Sequence, residues 1–185
     1  DECTGTNHQL QRDVMLLGVT TGLRRLELMS LKTGDVESLQ HNGETRYMLH
    51  LSGEVTSKSA NALRVVPVPT IATATVERLL RTGAENGYEY LLGFNGDPHK
   101  TARAIAQGLA RRLKKLPGDW TGVTPLHSLR RSYIQTLMRS GVDTLAAKVL
   151  MGHTTGDMTF GLYGRSGVSP TQLLEAVDAA DWSVW

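Results

Sequence analysis

The chain has 185 residues, 40% of them hydrophobic, and a formal net charge of +2 at pH 7. This length fits a single domain, 1–185, with a sizeable core. No apolar run approaches the roughly 18 residues of a membrane-spanning helix, and no signal-peptide pattern is present. The single cysteine, Cys3, excludes an internal disulfide framework and fits a reducing cytosol. We therefore expect a cytoplasmic protein.

The small net charge conceals an uneven distribution along the chain. Residues 100–165 hold eleven Lys and Arg against three acidic residues, a local net charge of +8, which leaves −6 for the rest. A basic stretch of this kind fits contact with a polyanion such as DNA, whose phosphates supply most of the non-specific affinity. Solvated helix faces would give the same pattern, so charge alone leaves both interpretations open.

Two helices are predicted at the start of the chain. Residues 9–18 and 24–32 carry apolar side chains at helical spacing. The Thr20-Thr21-Gly22 segment interrupts this pattern. We expect a threonine hydroxyl there to cap the start of the second helix.

A small antiparallel sheet is predicted next. Residues 46–51 and 64–68 have the composition of short strands, and 36–39 and 53–56 are weaker candidates. His41-Asn42-Gly43 supplies a hairpin turn between the first two strands.

From about residue 70 the pattern is mostly helical. Helices are predicted over 72–84, 99–115, 127–140, 143–151, about 157–163 and 171–180. Gly141, Gly152 and Gly164 fall where helix ends favour a left-handed residue. The predicted fold class is mainly α with a small antiparallel β-sheet inserted early in the chain (α+β).

The chemistry-bearing residues form a dispersed set, since no P-loop, GxGxxG, HExxH or paired-cysteine motif is present. Residues 21–28 read TGLRRLEL, with Arg24 after a glycine turn. His127 and Arg130 lie three apart and share a face if helical. His153 follows a glycine, and Tyr163 comes ten residues later. Taken singly, each has an ordinary structural explanation.

Taken together and in this order, TGLRxxEL, HxLR, GH and Tyr resemble the tyrosine recombinase (phage integrase) family, over about residues 10–165. The resemblance implies the DNA breaking-rejoining fold of the C-terminal catalytic domain. Since the sequence opens with Asp1 rather than Met, we expect a core-binding domain, and an arm-binding domain, to lie outside it.

The resemblance also implies an active site. Arg24 and Arg130 match the two catalytic arginines, and His127 matches the histidine that opens the HxxR motif. His153 matches the histidine of the GH motif. Glu27 matches an acidic position that helps to orient the basic groups of the site.

Two further residues complete the implied site. Lys58 matches the lysine of the family's β-hairpin, although a turn lysine is the ordinary alternative. Tyr163 matches the nucleophile, at an interval from His153 one residue longer than in many members. Tyr133 lies inside the HxLR helix, and we interpret it as a packing residue.

The chemistry explains why these residue types would be needed. Cleavage of a phosphodiester builds negative charge, which arginine forks can stabilise without a metal. A tyrosine hydroxyl, with a pKa of about 10, needs a proton acceptor, for which His127 is the candidate. Lys58 could protonate the leaving 5′-oxygen as general acid. A 3′-phosphotyrosine conserves the bond, so neither metal, ATP nor another cofactor is expected.

The resemblance implies double-stranded DNA as substrate and a tetramer of this chain that exchanges strands through a Holliday junction. Accessory DNA-bending proteins are further expected partners.

The tail, 166–185, could dock on a neighbouring subunit or on its own domain, and Trp182 and Trp185 favour some docking site.

Integration is the favoured role, with excision, resolution and transposon movement left open. A type IB topoisomerase or a catalytically inactive DNA-binding protein are the alternatives.

Overall fold

The computed structural model describes residues 3–52, 63–152 and 168–183. It is mostly helical with one small antiparallel sheet, so the predicted fold class is confirmed. In chain order the elements are α1 Cys3–Thr21, α2 Arg25–Ser30, a 3-10 helix Thr33–Asp35, β1 Val36–His41, β2 Glu44–Ser52, β3 Leu63–Pro67, α3 Thr70–Asn86, α4 Pro98–Leu113, α5 Pro125–Arg139, α6 Thr144–Met151 and α7 Pro170–Asp178.

The sheet has the order β1-β2-β3, with both pairs antiparallel. The predicted hairpin turn is confirmed: His41 pairs with Glu44, and Asn42 and Gly43 between them have φ of 53° and 81°. Two consecutive positive φ angles match the right-handed twist of the flanking strands, which is why Asn-Gly is favoured there. The strand candidate at 53–56 lies outside the described residues.

The main hydrophobic core lies between the sheet and helices α1 to α4. Leu17 of α1, Leu49 of β2, Val66 of β3 and Val76 of α3 are completely buried in it. Removing this apolar surface from water is the principal stabilising contribution. Leu23, in the segment between α1 and α2 where the TGLR motif lies, is buried in the same core.

The prediction that a threonine hydroxyl caps the start of α2 is wrong. Thr20 and Thr21 belong to α1, and their hydroxyls donate to carbonyl oxygens four residues earlier, at 2.7 and 2.5 Å. A threonine side chain inside a helix satisfies its hydroxyl in this local way. Arg24, with an extended backbone, is the residue that precedes α2.

Two other helix ends follow the predicted glycine pattern. Gly141 and Gly152 have φ of 71° and 62°, and Gly152 ends α6 in the left-handed region, as predicted. The helix candidate at 157–163 and Gly164 lie outside the described residues. Within the described part of the chain, no helix combines the length and the apolar character needed to cross a membrane.

A second core forms where α7 packs on α5 and α6 of its own domain. Leu173 and Val177 of α7 are buried there, and Trp182 beyond it is 7% exposed. The indole of Trp182 stacks on Tyr133 at a centroid distance of 5.8 Å, and its Nε1 donates to Val177 O at 2.8 Å. Trp182 therefore has a docking site within the chain, and Tyr133 is a packing residue, as predicted.

The end of α7 is anchored to the sheet by Asp178. Its carboxylate accepts two hydrogen bonds from the guanidinium of Arg46, which is 4% exposed, with Arg46 Nη2 to Oδ1 at 2.7 Å. The backbone N–H and the hydroxyl of Thr70, at the start of α3, also donate to Oδ1, at 2.9 and 3.0 Å. Burial opposes ionisation of Asp178, but these donors hold its pKa below the usual value. One carboxylate thus joins α7, β2 and α3.

We predict that Asp178→Asn destabilises the protein by about 2 kcal/mol, because it removes the charge that compensates buried Arg46. Urea unfolding followed by circular dichroism measures the loss. Glu175→Gln, an exposed carboxylate one turn earlier on α7, should change stability by less than about 0.5 kcal/mol. Equal losses in the two variants would contradict the proposed anchoring role of Asp178.

Candidate active site

The start of α2 is organised by Glu27. Its Oε2 accepts the backbone N–H of Arg24 at 2.7 Å, and its Oε1 accepts from Arg24 Nη1 at 2.8 Å. A glutamate at the third helical position can return to the residue before the helix in this way. Both the main chain and the side chain of Arg24 are therefore held by one carboxylate, while Arg24 itself remains partly exposed.

Glu27 is buried and also forms a two-pronged ion pair with Arg64 of β3. Arg64 Nη1 and Nη2 donate to Oε1 and Oε2 at 3.0 and 2.9 Å, and both side chains are 5% exposed. Burial alone would raise the pKa of Glu27, but the hydrogen bonds and charge of Arg64, together with the donors of Arg24, lower it to about 2. The carboxylate is therefore ionised at neutral pH.

Arg64 is not among the predicted site residues, although one feature of the sequence indicates its importance. It is a lone charge in β3, which is buried from Arg64 to Pro67, and a buried charge requires a partner. Its third contact is Nε to Leu150 O at 3.2 Å, at the C-terminal end of α6. Arg64 thus connects β3 to both α2 and α6.

Arg130 lies in α5 and is 7% exposed. Its Nη1 donates to Gly22 O at 2.5 Å and its Nη2 to Met151 O at 2.6 Å. Burial, with the charges of Arg24 and Arg64, lowers the pKa of Arg130 to about 10, so it stays protonated at neutral pH. The hydrogen bonds fix the guanidinium between the turn before α2 and the end of α6.

A cavity of about 690 Å³ brings three of the predicted site residues together. Arg24 contributes from the start of α2, and His127 and Arg130 from the first two turns of α5. One face of α4 and the segment before α5 complete the walls, with Arg25 and Arg103 adding two more guanidinium groups. Among the described residues that line it, four are arginines and none is acidic.

His127 is exposed and lies in the first turn of α5, three residues before Arg130. The HxLR pair therefore faces the same cavity, with the histidine at its surface and the arginine buried in its wall. Such a concave, cationic surface is suited to a phosphate group, since fixed guanidinium forks bind its oxygens.

The other predicted site residues are Lys58, His153 and Tyr163. They lie outside the described residues, so their roles stay predictions. His153 directly follows Gly152, where α6 ends. In the described ranges, no three His, Cys, Asp or Glu side chains lie close enough together to hold a metal ion.

The protein family of the chain is identified by sequence similarity. The model of the phage integrase family matches residues 2–168, which include the TGLR, HxLR and GH motifs and Tyr163.

The chain belongs to the phage integrase family.

Sequence similarity to tyrosine recombinases of known name supports this assignment. The tyrosine recombinase XerA of Thermococcus onnurineus is 31% identical over 145 residues, 77% of this chain and 46% of the relative. XerA of Thermococcus kodakarensis has the same identity and coverage. XerD of Listeria monocytogenes is 28% identical over 144 residues, 72% of this chain and 42% of the relative. The chain thus spans less than half the length of these relatives, and no solved structure matches it.

We predict that Gly22→Ala, at the turn that precedes α2, lowers the free energy of unfolding more than the same substitution at Gly43, which has a similar backbone conformation. Gly22 has φ of +62°, and a Cβ there would lie 2.2 Å from Tyr133 Cδ1. Gly43 has φ of +81° with no atom within 4 Å of its Cβ position. Gly43→Ala should lose about 1 kcal/mol through backbone strain. Gly22→Ala should lose about 2 kcal/mol more, because the Tyr133 ring must move.

Urea unfolding of both glycine variants measures this difference. Equal stability losses would mean that the contact between Gly22 and Tyr133 is not the constraint that sets the turn.

Proposed function

We propose that this protein is a site-specific tyrosine recombinase that cleaves and rejoins DNA through a covalent bond to Tyr163. The observation that carries the proposal is the cavity in which Arg24, His127 and Arg130 meet, in a chain of the phage integrase family. The names of the relatives, all tyrosine recombinases, support it.

The reaction conserves the broken bond. The phenolic oxygen of Tyr163 attacks the phosphorus, the bond from phosphorus to the 5′-oxygen breaks, and a 3′-phosphotyrosine forms. His127 accepts the phenolic proton, and Lys58 protonates the departing 5′-oxygen. A 5′-hydroxyl from a partner strand reverses the step. No ATP is consumed, and no metal is required in this scheme.

The arginines stabilise the negative charge that develops on the phosphate oxygens. A preorganised donor of this kind is effective because it does not have to reorient during the reaction. Arg130 is already fixed by two main-chain carbonyls, and Arg24 by Glu27. His153 would add a hydrogen bond to the same phosphate. The buried contacts thus support a catalytic role for both arginines.

The DNA backbone would run along α4. Arg103, Gln107 and Arg111 are exposed and four residues apart, so they share one face of this helix, and the first two line the cavity wall or its rim. This arrangement favours the DNA interpretation of the basic stretch over that of ordinary solvated helix faces. Phosphate contacts of this kind set the position of the duplex rather than its sequence.

Full recombination would need four copies of the chain on two DNA sites, with strands exchanged through a Holliday junction. Docking of residues 166–185 on a neighbouring subunit, in place of the contacts that α7 makes within its own domain, would link the active sites. Integration is the role that we favour. The competing candidates are a type IB topoisomerase activity and DNA binding without catalysis.

The decisive experiment uses a nicked suicide DNA substrate, from which the 5′-hydroxyl fragment diffuses away after cleavage. We expect a covalent protein–DNA adduct on a denaturing gel in the presence of EDTA. Tyr163→Phe should abolish the adduct and leave DNA binding largely intact, because only the nucleophilic oxygen is lost. Tyr133→Phe is the matched control and should still form the adduct, since the Tyr133 ring is completely buried.

Other outcomes separate the alternatives. An adduct that persists in Tyr163→Phe would assign the nucleophile to another residue. DNA binding with no adduct from the unaltered protein would favour the inactive DNA-binding protein. Relaxation of a supercoiled plasmid carrying a single site, without recombinant products, would favour the topoisomerase.

We predict that Arg103→Ala weakens DNA binding by a similar factor for all DNA sequences. The slope of the logarithm of the binding constant against the logarithm of the salt concentration should become less steep by about one unit. Arg81→Ala, an exposed arginine of α3 that does not line the cavity, is the control and should leave both quantities unchanged. Fluorescence anisotropy over a range of salt concentrations measures them. Equal effects in the two variants would contradict a DNA path along α4.

A further inference from the structure

We propose that Arg64 is a positioning residue for strand cleavage, which fixes Arg24 through Glu27 and fixes the end of α6 through the carbonyl of Leu150. The inference rests on the proposed function, since cleavage is the step that it would support. Arg64 itself is 5% exposed and does not line the cavity, so it acts through its neighbours.

The first connection runs through the Glu27 carboxylate. Each of its oxygens accepts one hydrogen bond from Arg24 and one from Arg64, at distances between 2.7 and 3.0 Å. Two bonds per oxygen fix the plane of the carboxylate as well as its position. Arg24 is the exposed end of this arrangement, so the direction of its guanidinium depends on how Arg64 holds Glu27.

The second connection runs to α6. Arg64 donates to the carbonyl of Leu150, and Arg130 donates to that of Met151, the next residue. These are carbonyls of the last turn of α6, which lack partners within the helix. The chain then continues through Gly152 to His153. Two arginines from different elements therefore set the point from which the His153 segment departs.

Lysine could not perform the same function. The planar fork of Arg64 makes two parallel bonds to Glu27 and directs Nε at a third acceptor, whereas an ammonium group is a point charge on a flexible chain. Charge alone is therefore insufficient, and Arg64→Lys should be impaired almost as strongly as Arg64→Met.

The chain offers a matched control. Arg46 of β2 is a second buried arginine of the same sheet, with an equivalent two-pronged ion pair to Asp178 and a bond to the carbonyl of Val68. Arg46→Met should destabilise the fold in the way that Arg64→Met does. Because its partners are Asp178 of α7 and Val68, between β3 and α3, it should leave cleavage unimpaired in the folded protein.

The activity test measures single-turnover adduct formation at saturating nicked DNA, together with the DNA dissociation constant. For Arg64→Met we expect a rate lowered about 100-fold by misplacement of Arg24, with DNA affinity changed less than about threefold. Arg64→Lys should fall similarly, and Arg46→Met should keep the parental rate. Cleavage by Arg64→Met at the rate of Arg46→Met would overturn the inference.

The pH profile gives a readout that a merely structural role would not change. Glu27 is faced by Arg24 at the start of α2, by Arg64 of β3 and, through its charge, by Arg130 of α5. With a pKa of about 2, Glu27 stays ionised throughout the working range of the parent protein. Without Arg64 its burial remains and its main counter-charge is lost, so its pKa rises. Cleavage by Arg64→Met should therefore decline further as the pH falls, and an unchanged profile would contradict the proposal.

A measurement without DNA keeps this inference separate from the proposed function. The amide N–H of Arg24 donates to Glu27, so its ¹⁵N–¹H NMR signal should shift in Arg64→Met and stay in place in Arg46→Met. This shift in a protein that forms no adduct would show that Arg64 holds Arg24 through Glu27 but would reject the recombinase proposal. An unshifted signal, with normal cleavage by Arg64→Met, would reject the positioning role alone.

Discussion

Four hydrogen bonds to one buried carboxylate set the geometry on which the proposed active site depends. Glu27 lies beneath the start of α2, and its oxygens are shared between Arg24 and Arg64. Burying an ion pair is unfavourable unless its hydrogen-bonding capacity is satisfied, which is the case here. The same contacts that offset desolvation also direct Arg24 towards the cavity. The stability of the buried ion pair and the orientation of the Arg24 side chain therefore have the same physical origin.

The remainder of the site is built around this carboxylate. Arg130 connects the turn before α2 to the end of α6, and α5 carries it together with His127. Tyr133, one turn further along α5, lies close to Gly22 and stacks on Trp182. The terminal segment thus supports the helix that supplies HxLR.

The sequence predicted the elements well where local physics decides them. Helical periodicity and the Asn42-Gly43 turn are properties of a few neighbouring residues, and the structure has them. The threonine cap failed because a hydroxyl inside a helix has an acceptor four residues back. The lone charge of Arg64 in an apolar strand indicates a buried ion pair, but its partner is 37 positions away, and only the packing of α2 on the sheet identifies it as Glu27. Arg24, His127 and Arg130 were found by their motifs, but their spacing along the chain does not determine that one cavity holds them.

Among the described residues, Arg130 donates hydrogen bonds to two main-chain oxygens, those of Gly22 and Met151. A carbonyl is present whatever side chain a residue carries, so position 151 can vary among homologues without weakening this contact. Pairs of positions that change together during evolution would therefore fail to reveal it. Coevolutionary maps of such domains should therefore miss the contact between this arginine and α6, although its hydrogen bond is 2.6 Å long.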